Sequence, residues 1–160
     1  MKTIYAIIFG IFLILLGKTY SFAADCPDYE LFSEEINPTK NAWGHLYEIY
    51  KRSAPGCDDG AYAEGFSDFV VQSLAKHWNR FDELVSLIQK DPSFQIFVLK
   101  HIDATTDLND LNTISKNVHE RCPKTAIQLC KEIDEKANAA FSEACEVENI
   151  TLKTLSGKYP

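Results

Sequence analysis

Four histidines (His45, His77, His101 and His119) and a crowded set of carboxylates (Asp58, Asp59, Glu64 and Asp68) are the groups in this chain with the right types for acid–base chemistry. An imidazole titrates near neutrality and can act as a general base. Paired carboxylates can hydrolyse glycosides. Each group also has a plainer reading. His45 sits between Trp43 and Leu46, and His101 follows Phe94 and Phe97 on an apolar stripe, where a hydrogen-bonded core histidine is the commoner occupant. His77 falls where a helix should end and suits the negative end of its dipole. His119 precedes Cys122 closely, but a cysteine committed to a disulfide is no nucleophile. The acids around Asp58 stand at a helix start, where negative charge is favourable without further function. A catalytic serviceability of these groups therefore requires that histidines and carboxylates meet in one cleft.

Positive motifs are few. The sequence contains no G-x-S-x-G elbow, phosphate loop or dinucleotide fingerprint. It has no calcium-loop pattern, no C-x-x-C and no H-x-x-x-H. No catalytic residue, metal ligand or cofactor is assigned from it. Asn149-Ile150-Thr151 is a glycosylation sequon, relevant only in a eukaryotic source.

The elements that would position these residues are helical throughout. Trp43, Leu46, Tyr47 and Tyr50 recur at i, i+3, i+4, i+7 and mark a helix over about 39–53, stopped by Ala54-Pro55-Gly56. Asp58 or Asp59 can cap a central helix to about His77, with Tyr62, Phe66, Phe69, Val70 and Leu74 on one face and Gly65 permitting a close neighbour. Phe81, Leu84, Val85 and Ile88 give a third helix. Asp91-Pro92 opens a fourth with Phe94, Phe97, Val98 and Ile102. After a break at 103–106, Asp107 can cap a helix that runs to Cys122-Pro123. Thr125 can cap the last one, whose expected face is Ile127, Cys130, Ile133, Ala137, Phe141 and Ala144. Nothing alternates at period two for long enough to form a strand. The expected fold is all-α, a compact bundle of five to six short helices over residues 24–146. Periodicity fades after Cys145, so 147–160 are expected to form a flexible C-terminal tail.

Residues 4–17 form an uncharged apolar run of 14 after Lys2, too short to span a bilayer, which needs about 20 residues, and suited to a secretory signal. Ser21-Phe22-Ala23 places cleavage after Ala23, making 1–23 a signal peptide and leaving no stable membrane span. All five cysteines lie beyond that point, in a compartment where thiols oxidise. Cys122 with Cys130, across the Pro123 corner, and Cys26 with Cys57 are the favoured disulfides; Cys145 then falls outside both pairs. Pairing Cys130 with Cys145 would join points about four turns apart on one helix. Of 16 basic residues, Lys2 and Lys18 leave with the leader, so 14 remain against 23 acidic ones, a net charge of −9. Such a surface argues against nucleic acid and for a basic protein partner.

The stretch Cys57-Asp58-Asp59-Gly60-Ala61-Tyr62-Ala63-Glu64-Gly65-Phe66-Ser67-Asp68 resembles the C…Y-x-x-G-x-x-D opening of the central helix in the Rap/Tai immunity proteins. These are small exported all-helical proteins that neutralise type VI secretion amidase effectors in the bacterial periplasm. The resemblance implies a periplasmic or secreted, non-catalytic inhibitor that occludes a cell-wall-degrading enzyme. The later segment, FQIFVLKHIDATTDLNDL…RCPKTAIQLC, departs from that pattern and is similar to uncharacterised exported bacterial proteins, so no partner-binding residue is carried over. The alternative expectation is a secreted helical carrier of small apolar ligands, which would need an internal cavity lined by Phe66, Phe94 and Phe97.

Overall fold

The computed structural model describes residues 26–53 and 56–156; the hydrophobic leader and the cleavage point expected after Ala23 lie outside them. Seven α-helices follow in order: α1 (Tyr29–Glu35), α2 (Trp43–Arg52), α3 (Gly60–Lys76), α4 (Phe81–Lys90), α5 (Pro92–Lys100), α6 (Leu108–Arg121) and α7 (Ile127–Ser156). Single 3₁₀ turns, Trp78–Arg80 and Lys124–Ala126, precede α4 and α7, and no strand occurs among the described residues.

Aspartate side chains open four of these helices. Asp28, Asp59, Asp91 and Asp107 accept backbone N–H groups at the starts of α1, α3, α5 and α6, satisfying donors that have no partner inside the helix. Helix α2 has no such residue, because Ala42 stands at its N-cap. Its Gly44 N–H donates instead to Glu83 Oε1 of α4, at 2.8 Å.

The expected count of five to six helices is corrected to seven. Helix α1 was not foreseen: seven residues are too few to show a helical stripe, and it buries one side chain, Phe32. Phe32 packs on Tyr62 and edge-on against Phe66 of α3. An ideal Cβ built on Gly65 would lie 2.9 Å from that ring, so the glycine is where α1 and α3 approach. The last helix also differs from expectation. It continues to Ser156 rather than ending near Cys145, since neither glycine nor proline interrupts residues 124–156. Thr125 does not cap it but lies in the 3₁₀ turn. The buried row keeps Cys130, Ile133 and Ala137 of the expected face and adds Leu129 and Ala140, while Ile127 and Phe141 are exposed.

One hydrophobic core joins all seven helices, with Trp43, Phe66, Phe69, Phe94, Leu84, Ile114 and Ile133 fully enclosed. Helix α6 packs most extensively on α7 and also against α3. Across the latter contact, the buried Asn117 amide donates to the Leu74 and Ala75 carbonyls near the end of α3, both at 2.9 Å. Cys26 with Cys57 and Cys122 with Cys130 stand at disulfide distance, with Cα separations of 5.4 and 6.2 Å. Cys145 is half-buried on α7, outside both pairs. No described helix is long and apolar enough to cross a membrane.

Candidate functional site

The end of α2, the segment that leads into α3 and the end of α5 meet around an open cleft of about 680 Å³. Tyr50, Phe66 and Phe97 supply its apolar lining; Lys51, Lys100, Asp58 and Asp59 supply its charge. Each arrives there for a local reason. Pro92 and the Asp91 cap fix the start of α5, so the stripe Phe94, Phe97, Val98 faces the core and Lys100 and His101 fall at the helix end. Gly56, at φ 107°, turns the chain after α2 in a conformation that L side chains rarely adopt, and delivers Cys57 and Asp58 to the head of α3.

The α2 wall is fastened to the head of α5. Tyr47 donates to Asp91 Oδ2 at 3.2 Å, Tyr50 and Ser93 share a hydroxyl hydrogen bond of 2.8 Å, and Lys51 pairs with Asp91 at 3.4 Å. Hydrogen bonding by Ser93, with help from Tyr47 and Lys51, outweighs desolvation and holds the Asp91 carboxyl below its ordinary value. The aromatic rings form a continuous stack of tilted and edge-on pairs: Tyr50–Phe97 at 4.8 Å, Phe66–Phe97 at 5.1 Å and Phe97–His101 at 4.4 Å.

Behind Phe66 and Phe97 lies a polar network that joins α3, α5 and the loop after α5. Ser67 and His101 are each 1% exposed. The Ser67 hydroxyl donates to Asp103 Oδ2 at 2.6 Å and meets His101 Nδ1 at 3.2 Å. The other ring nitrogen, Nε2, faces Asp58 Oδ1 at 3.1 Å, yet both atoms are buried without a hydrogen-bond partner. Asp58 Oδ2 takes the Lys100 ammonium at 2.5 Å. Burial lowers the affinity of His101 for a proton, against the pull of Asp58 and Asp103, so its pKa falls below the usual imidazole value. Burial pushes the Asp103 carboxyl up, but hydrogen bonds from Ser67 and Thr105 outweigh it and the net shift is downward.

The groups singled out from sequence separate on folding. Asp58 and His101 come together; Asp59 lines the same cleft while capping Gly60. Glu64 and Asp68 border a different, smaller groove with Thr105, Thr106 and Asp107. His45 is half-buried on α2, with its Nε2 buried and without a hydrogen bond. His77 caps the end of α3. His119 is exposed and 3.6 Å from Asp134, a contact of α6 with α7. Ser67, Asp103, Lys51 and Lys100 were not anticipated, because isolated polar residues at those positions carry no motif. The pair Asp103 and Thr105 does carry a turn signal, since Asp103 Oδ1 accepts from the Thr105 backbone N–H.

Chemically, the arrangement combines groups suited to binding with groups suited to acid–base chemistry. It contains a serine, an imidazole and carboxylates within hydrogen-bond distance; the serine and imidazole are enclosed, and Asp58 joins their network to the cleft that Asp59 also lines. Among the described residues no three His, Cys, Asp or Glu side chains are placed to hold a metal ion. No protein-family model matches the chain, and neither a curated protein nor a solved structure matches it.

Proposed function

We propose that this chain is an exported, non-catalytic binding protein, acting as an immunity protein that neutralises a cell-wall-degrading effector by covering its active site. The observation that carries the reading is the open, charged and aromatic cleft, whose neighbouring imidazole and serine are shut away from any substrate. A surface of this kind offers aromatic anchors and ionic partners to an inserted side chain or loop. The acidic balance of the chain favours a basic partner and speeds its encounter. The resemblance around Cys57–Asp68 points to the same class, and two disulfide-distance pairs suit an oxidising compartment such as the periplasm.

The test is to purify the protein with the hydrolases encoded beside its gene. A stable complex that abolishes cleavage of peptidoglycan by a basic amidase or muramidase is the expected result. Failure to bind any neighbouring hydrolase, together with measurable turnover by the protein itself, overturns the proposal.

A second reading, a carrier of small apolar ligands, draws on the volume of the cleft, which falls within the usual ligand-pocket range of about 300–1,000 Å³. Two of its expected lining residues, Phe66 and Phe97, are present; Phe94 is instead packed between Tyr47, Tyr50 and Phe97 in the core. The half-polar lining favours a ligand with a charged end. Mass spectrometry of an organic extract of the purified protein separates the two readings: a stoichiometric lipid-like molecule supports the carrier.

A further inference from the structure

This inference rests on the cleft being the recognition site and concerns what the cleft takes and how that is regulated. Four charged side chains line it, two of each sign: Lys51 and Lys100 against Asp58 and Asp59. Asp58 is shared, since one oxygen holds Lys100 and the other faces His101. The hydrogens of the network can be assigned in turn. Ser67 has a single hydroxyl proton and gives it to Asp103, so Ser67 Oγ meets His101 Nδ1 as an acceptor, and Nδ1 carries the N–H. In a neutral ring Nε2 is then a bare lone pair. It lies 3.1 Å from a carboxylate oxygen, and both atoms are buried and unpartnered. Two acceptors held that close repel each other, whereas one proton on the ring turns the contact into an ion pair.

We propose that His101 and Asp58 form a proton-binding pair that sets the charge of the cleft, and that in its protonated state the cleft takes an anionic group on an aromatic or aliphatic stem. A proton from solvent adds to Nε2; no other bond forms or breaks, and the local charge rises by one. The imidazolium, facing the other carboxylate oxygen, offsets the charge of Asp58 and so weakens its hold on Lys100. Lys100, with its side chain 57% exposed, is released toward an incoming anion, while Tyr50 and Phe97 receive the stem. Lys51 keeps Asp91 as its partner on the opposite wall. The charged groups facing His101 are Asp58 from the segment before α3, Asp103 from the loop after α5, and its neighbour Lys100; α3 contributes only Ser67 and the Ala63 carbonyl. Because burial opposes protonation of the ring, uptake falls on the acid side of the ordinary imidazole range. Linkage is reciprocal, so a bound anion must raise the midpoint of His101.

The experiment titrates the purified protein with benzenesulfonate, which stays ionised throughout, at pH 5.5 and 7.5, with benzoate, phenyl phosphate and benzylamine as comparison arms. Nuclear magnetic resonance follows the His101 ring and the Lys100 and Tyr50 side chains. Benzenesulfonate should bind about fivefold or more tightly at the lower pH, and saturation should raise the His101 midpoint. Benzylamine should show no such gain. Relative binding of benzoate and phenyl phosphate identifies the preferred anion. His101→Gln should bind benzenesulfonate with the same affinity at both pH values. Asp58→Asn, which frees Lys100 at any pH, should bind it at pH 7.5 as the native protein does at 5.5. Equal native affinities at the two pH values, retained pH dependence in His101→Gln, or a gain for benzylamine on acidification would each overturn the inference. An effector complex that forms while the anions fail to bind sinks this inference alone; anion binding without any effector complex sinks only the immunity reading.

Discussion

Burial and charge pull the His101 imidazole in opposite directions, and burial prevails. The sign of the resulting pH dependence follows. Above the ordinary imidazole value of 6.5 the ring is neutral in both folded and unfolded chains and contributes no slope. As pH falls below 6.5 the unfolded chain takes up its proton first, so stability is lost until the folded ring also protonates. Asp103 has the opposite habit: with its pKa depressed, its stabilisation is present above the ordinary carboxylate value of 3.8 and is lost only as pH falls through the lower folded value. The slope as pH falls below 6.5 should therefore diminish in His101→Gln, as measured by denaturant unfolding at successive pH values below it. Asn117 allows a prediction of a different kind. Asn117→Ala removes the donor that serves two buried carbonyls of α3 and should cost about 1–3 kcal/mol of unfolding free energy. A loss below about 0.5 kcal/mol would mean that those carbonyls find another partner.

Helices α2 to α6 were legible because each carries enough apolar repeats to define a face, and because Asp59, Asp91 and Asp107 mark starts that the structure uses. Helix α1 was not, since a single buried phenylalanine has no period. The contact that holds it was half visible: Gly65 reads as a point of close approach, but nothing in sequence names Phe32 as the neighbour. Gly65→Ala should force that enclosed ring to shift, at a cost of about 1–3 kcal/mol despite the higher helix propensity of alanine. Thermal unfolding checks it; unchanged stability would show that α1 can move away freely. In α7 the expected face agrees with the structure at Cys130, Ile133 and Ala137, whereas Ile127 and Phe141 are exposed and Leu129 and Ala140 are buried in addition.

At the scale of the molecule, the two cysteine pairs constrain different things. Cys122–Cys130 spans 8 positions and fixes the corner between α6 and α7; Cys26–Cys57 spans 31 and ties the segment before α1 to the head of α3, beside the cleft. On loop-closure entropy, replacing the first pair by serine should cost about 2.5 kcal/mol and the second about 3.5 kcal/mol. Equilibrium unfolding of the two double variants tests the order. The Cys26–Cys57 variant should also weaken ligand binding at the cleft, since Asp58 adjoins that bridge, whereas the other variant should leave it unchanged.

From the sequence alone one obtains helical class, most helix boundaries, the favoured cysteine pairs and an expectation of export, because each depends on residues near one another along the chain: periodic stripes, caps, stop signals, short loops and a leader. The cleft was not obtainable in that way. Tyr50, Asp58, Phe66, Lys100 and His101 come from three helices and the segments that flank two of them; Ser67, which hydrogen-bonds His101, and Asp103, which accepts from Ser67, lie 34 and 2 positions from the imidazole. Only packing of α3 against the end of α5 decides that an imidazole from one apolar stripe meets a carboxylate from a helix start, and only enclosure by Phe66 and Phe97 decides that this meeting is hidden from solvent. Burial is a property of all the neighbours at once, and no local pattern encodes it.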